Sequence, residues 1–267
     1  MKPTTPIQFV YPYVNNEDKF EELRYSLRSL EKHFTEPFNV VIVGDMPGFI
    51  NPDLITYIPV DRLTQVPENI TADAIFKMLT ICDSELVEGI FIRIYDDVYL
   101  LKDMGIDEIG KVRAMKDMNH TKRLESDGSS SDTWQNQLWH TYDVVRAKNR
   151  YGWNFETHLP EVFVKSVMKF ILTGHDAMTY RLLISTLYNN ICWDTSDPHP
   201  DLINRKTNIR AGFYGVSSEY SYKPIEPDEY RQAIKGKMFL NHNDDGLTKT
   251  LIQIIRELFP KPSRFEK

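Results

Sequence analysis

The sequence predicts an α/β layered domain with a mainly parallel central sheet flanked by helices. Three observations carry that reading. Over the first hundred residues the segments alternate as strand, helix, strand, strand, helix, strand. Val40-Val41-Ile42-Val43 is an unbroken apolar run, as expected of a strand buried on both faces. Phe20, Leu23, Leu27, Leu30 and Phe34 recur at spacings of 3, 4, 3 and 4, which is one stripe of an α-helix. Strands joined through helical crossovers pair in parallel, so the order itself points to a parallel sheet.

The elements follow in turn. Residues 7–14 read as the first strand, with Pro12 marking its end. The striped helix covers 20–34, with Asn15 or Asn16 as its cap and Pro37 as its stop. Residues 39–44 and 55–60 read as strands, 71–82 as an amphipathic helix, and 89–101 as a strand pair or one long strand. Residues 119–133 hold one apolar residue, Leu124, beside Gly128 and three consecutive serines, and read as a long mobile loop of the kind that closes over ligands. Residues 160–173 and 176–191 read as helices, the former with Pro160 in its first turn. Late strands are expected at 211–216 and 237–240, and a closing amphipathic helix at 246–259. No repeat or linker divides the chain. It reads as a single domain over 1–267, with a first half at 1–118, the loop 119–133, and a second half at 134–267 that ends in the closing helix.

Composition removes several classes. The 267 residues carry 32 Lys+Arg against 38 Asp+Glu, a net charge of −6, which argues against a surface devoted to nucleic acid. Local excesses remain at 111–150, with eight basic against five acidic residues, and at 248–267, with five against two. No apolar run approaches the roughly 18 residues of a membrane span, so no membrane insertion is expected. With no apolar leader after Met1, and only Cys82 and Cys192 as cysteines, the expected location is the cytoplasm, with reduced core thiols.

The chemistry-bearing residues begin with Asp96-Asp97, directly after the strand-like run Ile90-Phe91-Ile92-Arg93-Ile94-Tyr95. Ligands of open α/β sheets bind beyond the carboxyl ends of strands, and adjacent carboxylates raise each other's pKa unless a cation sits with them. Mn²⁺ or Mg²⁺ suits such oxygen donors and bridges to phosphates; the competing reading is a turn in which one Asp caps a backbone N–H. Arg24 and Arg28, four apart on the first helix, either grip a phosphate or pair with Glu21 and Glu31 on the surface. Lys77 either pairs with Asp73 on the surface or reaches a ligand phosphate. Asn241-His242-Asn243-Asp244-Asp245 offers ligand atoms, or simply a helix N-cap at Asp244 or Asp245. His158 and the His175-Asp176 pair are weaker candidates for acid–base work. Gly105-Ile106-Asp107-Glu108-Ile109-Gly110-Lys111 matches P-loop spacing, but lacks the following Ser/Thr and puts carboxylates where phosphates would sit.

Four segments occur together in order: Glu22-Leu23-Arg24-Tyr25-Ser26-Leu27-Arg28-Ser29-Leu30, Tyr95-Asp96-Asp97-Val98-Tyr99-Leu100, His158-Leu159-Pro160 with Lys165, and Leu240-Asn241-His242-Asn243-Asp244. Together they resemble the Stealth family of sugar-phosphate transferases for capsular polysaccharide, and more broadly GT-A-fold glycosyltransferases. The resemblance implies a GT-A-like (Rossmann-like) domain and a nucleotide-sugar donor. It implies a divalent metal held by Asp96 and Asp97 and completed by His242 or Asp244. Arg24, Arg28, Lys77 and Asn241 would serve the donor, with Asp176 or His158 as base. One block departs from the Stealth pattern: after the first strand the chain reads Tyr11-Pro12-Tyr13-Val14-Asn15-Asn16-Glu17-Asp18 instead of a Val-Asp-Gly-Ser-Asp-like block, so transfer of a sugar and of a sugar phosphate both stay open. The acceptor would be a glycan in preference to a hydroxymethylated base of viral DNA. The rival classes are a non-catalytic nucleotide- or glycan-binding module and a metal-dependent phosphohydrolase.

Overall fold

The computed structural model describes residues 6–15, 20–63, 70–121, 130–148, 152–193, 199–203, 211–213, 226–242 and 246–267. Its elements are β1 (Ile7–Tyr13), α1 (Glu22–His33), β2 (Phe38–Gly44), β3 (Thr56–Pro59), α2 (Ile70–Asp83), β4 (Ile90–Arg93), β5 (Val98–Leu100), α3 (Ile106–Ile109), β6 (Arg113–Ala114), β7 (Lys116–Asp117) and α4 (Ser130–Ala147). There follow β8 (Trp153–Asn154), β9 (Glu161–Val164), α5 (Lys165–Gly174), α6 (Ala177–Tyr180), α7 (Ile184–Cys192), β10 (Asp201–Leu202), β11 (Ala211–Phe213), α8 (Pro227–Ile234), β12 (Phe239–His242) and α9 (Lys249–Leu258).

The central sheet is mixed and mostly parallel, in the order β3-β2-β1-β4-β9. β1 runs parallel to β2 from Ile7↔Phe38 to Tyr13↔Gly44, and parallel to β4 only at Phe9↔Ile92 and Val10↔Arg93. β9 closes the sheet antiparallel to β4. Alternation sorts β1 between two layers. Phe9, Tyr11 and Tyr13 pack with Leu23, Leu27 and Leu30 of α1 on one face. Val10 packs with Ile75, Met78 and Ile81 of α2 and with Met168 and Ile171 of α5 on the other. A smaller sheet, β11-β12-β5, lies on the α1 side, where Tyr99 and Leu240 join Tyr230, Leu251, Ile255 and Phe259.

Several expectations need correction. Pro12 does not end the first strand. The Val10 carbonyl accepts from Ile94 N on the β4 side, so Pro12, two residues on, turns its missing N–H to the same side, where that ladder has already stopped. Residues 89–101 form two strands in different sheets, with Asp96-Asp97 in the turn between them. The helix expected at 160–173 begins only at Lys165, because Glu161–Val164 pair with β4. The helix expected at 176–191 is broken by Arg181, which adopts φ +53. Glu21, not Asn15 or Asn16, stands at the N-cap of α1, and Thr248 caps α9, accepting from Leu251 N. Part of the expected loop 119–133 is helix, since α4 starts at Ser130; residues 122–129 lie outside the described residues.

Candidate functional site

β1 is flanked by β2 on one side and β4 on the other, so the chain changes direction across the sheet at β1, and the carboxyl ends of these strands diverge there. A cleft of about 240 Å³ opens at this edge. Its walls come from the chain after β1 (Tyr13, Asn15), from the start of α1 (Glu21, Glu22), from Gly48 and Phe49 after β2, and from Asp96 after β4. Gly44 makes the approach possible. It sits at φ +124, and a Cβ there would lie 2.1 Å from the Tyr13 carbonyl oxygen, a contact only glycine avoids. Beyond it, Asp45 accepts from Asn15 N at 2.7 Å. The cleft is acidic: burial, then Asp96, Glu22, Asp45 and Glu21 in turn, push the Tyr13 phenol up.

Asp97 turns to a different partner. Its two carboxylate oxygens lie 2.7 and 2.8 Å from His158 Nε2. Burial works against the ionised carboxylate, but the charge and hydrogen bonds of His158, with a further contribution from His242, outweigh it and hold Asp97 below the ordinary carboxylate range. His158 is fixed on several sides. Its backbone adopts φ +53, which costs strain for a non-glycine residue. Its carbonyl accepts from Asn241 Nδ2 at 2.8 Å, and its ring stacks on Tyr95 with centroids 4.3 Å apart. Tyr95 in turn lies under the Arg93 guanidinium, 4.9 Å away. Arg93 is buried, bonded to Glu161 and to Ser185 Oγ. The imidazole nevertheless keeps a third of its side-chain surface exposed (33%). The result is a carboxylate–imidazole pair, pre-oriented and accessible.

The other expected residues separate. His242 is fully buried, with Nε2 3.1 Å from the Tyr99 hydroxyl and 3.7 Å from Glu22. Asp244 lies outside the described residues. Among the described residues no group of three or more His, Cys, Asp or Glu side chains converges as metal donors. With both Asp97 oxygens on His158 and the His242 nitrogen on Tyr99, the described part of the expected set, Asp96, Asp97 and His242, does not fit a metal centre.

Arg24 and Arg28 hold a carboxylate, not a phosphate. Both bond to Glu266, Arg24 through Nη1 at 2.7 Å and Arg28 through Nε and Nη2 at 2.7 and 2.8 Å. Arg24 also pairs with Glu21 as expected, whereas Glu31 pairs with Arg264 instead of Arg28. Lys77 bonds Asp73 at 2.8 Å, and the pair is buried instead of lying on the surface. Asp176 lies in the turn between α5 and α6, where it accepts from Thr179; it belongs to the α2–α5 layer, away from the cleft edge.

Tyr95, Tyr99 and Glu22 stand in the segments quoted from the sequence but were given no role there, and Glu266 was not singled out. Tyr95 and Tyr99 bracket the Asp96-Asp97 turn, and that adjacency was the available signal. No helix among the described residues is long and apolar enough to cross a membrane. No protein-family model matches this chain, and no curated protein matches it.

Proposed function

We propose that this chain is a glycosyltransferase of GT-A-like fold that moves a sugar, or a sugar phosphate, from a nucleotide-sugar donor to an acceptor hydroxyl, with His158 as general base. The observation that carries the reading is the Asp97–His158 pair, exposed at the carboxyl edge of a mostly parallel sheet beside a cleft. Asp97 on Nε2 fixes the ring, and with Nε2–H assigned as the donor the tautomer carries its basic lone pair on Nδ1. In glycosyl transfer, Nδ1 takes the acceptor proton while the acceptor oxygen bonds the anomeric carbon and the bond from that carbon to the diphosphate oxygen breaks. Asp97 holds the ring and stabilises the imidazolium that results; Asn241 and Tyr95 position the turn and the ring.

The carboxylates of Asp96, Glu21, Glu22 and Asp45 would repel a bare diphosphate. On this reading the donor would arrive as its Mn²⁺ or Mg²⁺ complex, and the ion would supply the counter-charge that these carboxylates do not.

Thermal unfolding with UDP-, GDP-, CDP- and dTDP-sugars, each with and without Mn²⁺, tests this. A donor at 100 times its Kd adds about 2.7 kcal/mol, which raises Tm by several degrees. With the donor identified, His158→Ala lowers kcat by about 10²–10⁴ while the shift persists. No shift with any nucleotide sugar, or full turnover in His158→Ala, would sink the proposal. Binding without transfer would leave a non-catalytic module, and phosphate release from simple esters would mark a phosphohydrolase.

A further inference from the structure

A second cleft, about 340 Å³, lies between edge strand β9, the end of α7 and the 110–113 segment. Thr157 and Pro160 form part of its wall, so the turn that carries His158 also borders this cleft. Its charge is balanced. Lys111 Nζ and Arg113 Nη2 both bind Glu108, at 2.6 and 2.8 Å, and Glu161 is bonded to buried Arg93. Among the described residues of its lining, no uncompensated cation is available for a phosphate backbone. The remaining lining pairs an aromatic ring with neutral hydrogen-bonding groups. Trp193 packs on Phe155 and borders the cleft. Asn189 spends its amide N–H groups on Ser185 O and Glu161, which leaves its side-chain carbonyl as an acceptor; the Thr157 hydroxyl adds another neutral group.

We infer that this cleft is the acceptor subsite and that it takes a neutral saccharide, not DNA; the inference rests on the transferase reading. A sugar ring lays a C–H face on an aromatic plane and offers hydroxyls to amide and hydroxyl partners. The volume falls at the small end of ligand pockets and suits about one or two sugar rings.

Cys192 reports occupancy of the cleft it lines. It is exposed, whereas Cys82 is buried and burial pushes its thiol up to about 12, so alkylation selects Cys192. Neutral methyl glycosides are the probes, with a hydroxymethylated DNA duplex as the rival. A bound glycoside slows Cys192 alkylation about twofold at a concentration equal to its Kd. Asn189→Ala and Thr157→Val each abolish the protection without changing the unprotected rate, and a nucleoside diphosphate does not compete. The inference falls if no glycoside protects, if protection survives both substitutions, or if only the duplex protects and salt removes its effect. Glycoside protection without any nucleotide-sugar binding would overturn the transferase reading and leave the saccharide cleft standing.

Discussion

Replacing Glu266 by Gln probes the joint between the C-terminal segment and α1. The carboxylate is 3% exposed and receives Arg28 Nε and Ser263 N on Oε1, and Arg24 Nη1 and Arg28 Nη2 on Oε2. Burial alone would raise its pKa, but the Arg28, Ser263 and Arg24 donors outweigh burial and hold it at about 2, against an ordinary 4.5. That gap corresponds to about 3 kcal/mol of stability, and screening of the partly exposed arginines reduces the expectation to roughly 2–3 kcal/mol. Because the folded value is depressed, the contribution is complete above pH 4.5 and is lost as pH falls toward 2. Glu266→Gln keeps the shape but turns an amide N–H₂ toward a guanidinium. Urea unfolding at pH 7 should therefore show a loss of about 2–3 kcal/mol, with Tm lower by roughly 5–10 °C. The loss should hold constant down to about pH 5 and narrow below it. In a cycle with Arg28→Met, most of the loss should appear as coupling between the two residues. A loss under about 0.5 kcal/mol at pH 7, or one that grows as the pH falls, would refute the argument.

Two other substitutions separate buried pairs from site residues. Lys77→Met leaves the Asp73 carboxylate buried and should cost about 3–5 kcal/mol by urea unfolding, whereas Asp73→Leu with Lys77→Met should return most of that loss. Asp176→Asn tolerates the left-handed backbone at φ +48 and still accepts from Thr179, so turnover should match wild type; a large loss of kcat would return Asp176 to the base assignment.

The sequence was most readable where one period held for a whole element. The stripe of α1 and the unbroken run of β2 each admit one reading, and both elements stand where they were expected. Glu161–Val164 was misread because four residues in front of an amphipathic helix look like its first turn; only pairing with β4, about 70 residues earlier in the chain, makes them a strand. The same distinction runs through the site. Asp96-Asp97 was legible because the acids follow a buried strand. His158 looked ordinary alone, since its meaning comes from Asp97 across 61 positions of chain. Arg24 and Arg28 were singled out as a pair that needs an anion, yet the one they share is a carboxylate 238–242 positions away. Spacing reveals a need for a counter-charge; it does not reveal which one.

The last residues also brace the first cleft. Lys267 N bonds to Phe49 O, Asn51 N to Phe265 O, Lys267 Nζ to Gly48 O, and Arg24 lies 4.3 Å from the Phe49 ring. Phe265 fills the same core cluster as Phe9 and Phe38. During synthesis, then, the wall at Gly48 and α1 wait for partners that leave the ribosome 219 to 242 residues later. Closure of a loop that long before its contacts repay the entropy favours slow, late consolidation. The first cleft accordingly consolidates only after this segment has emerged, and a nascent chain that already holds every cleft residue still lacks the brace that sets their spacing.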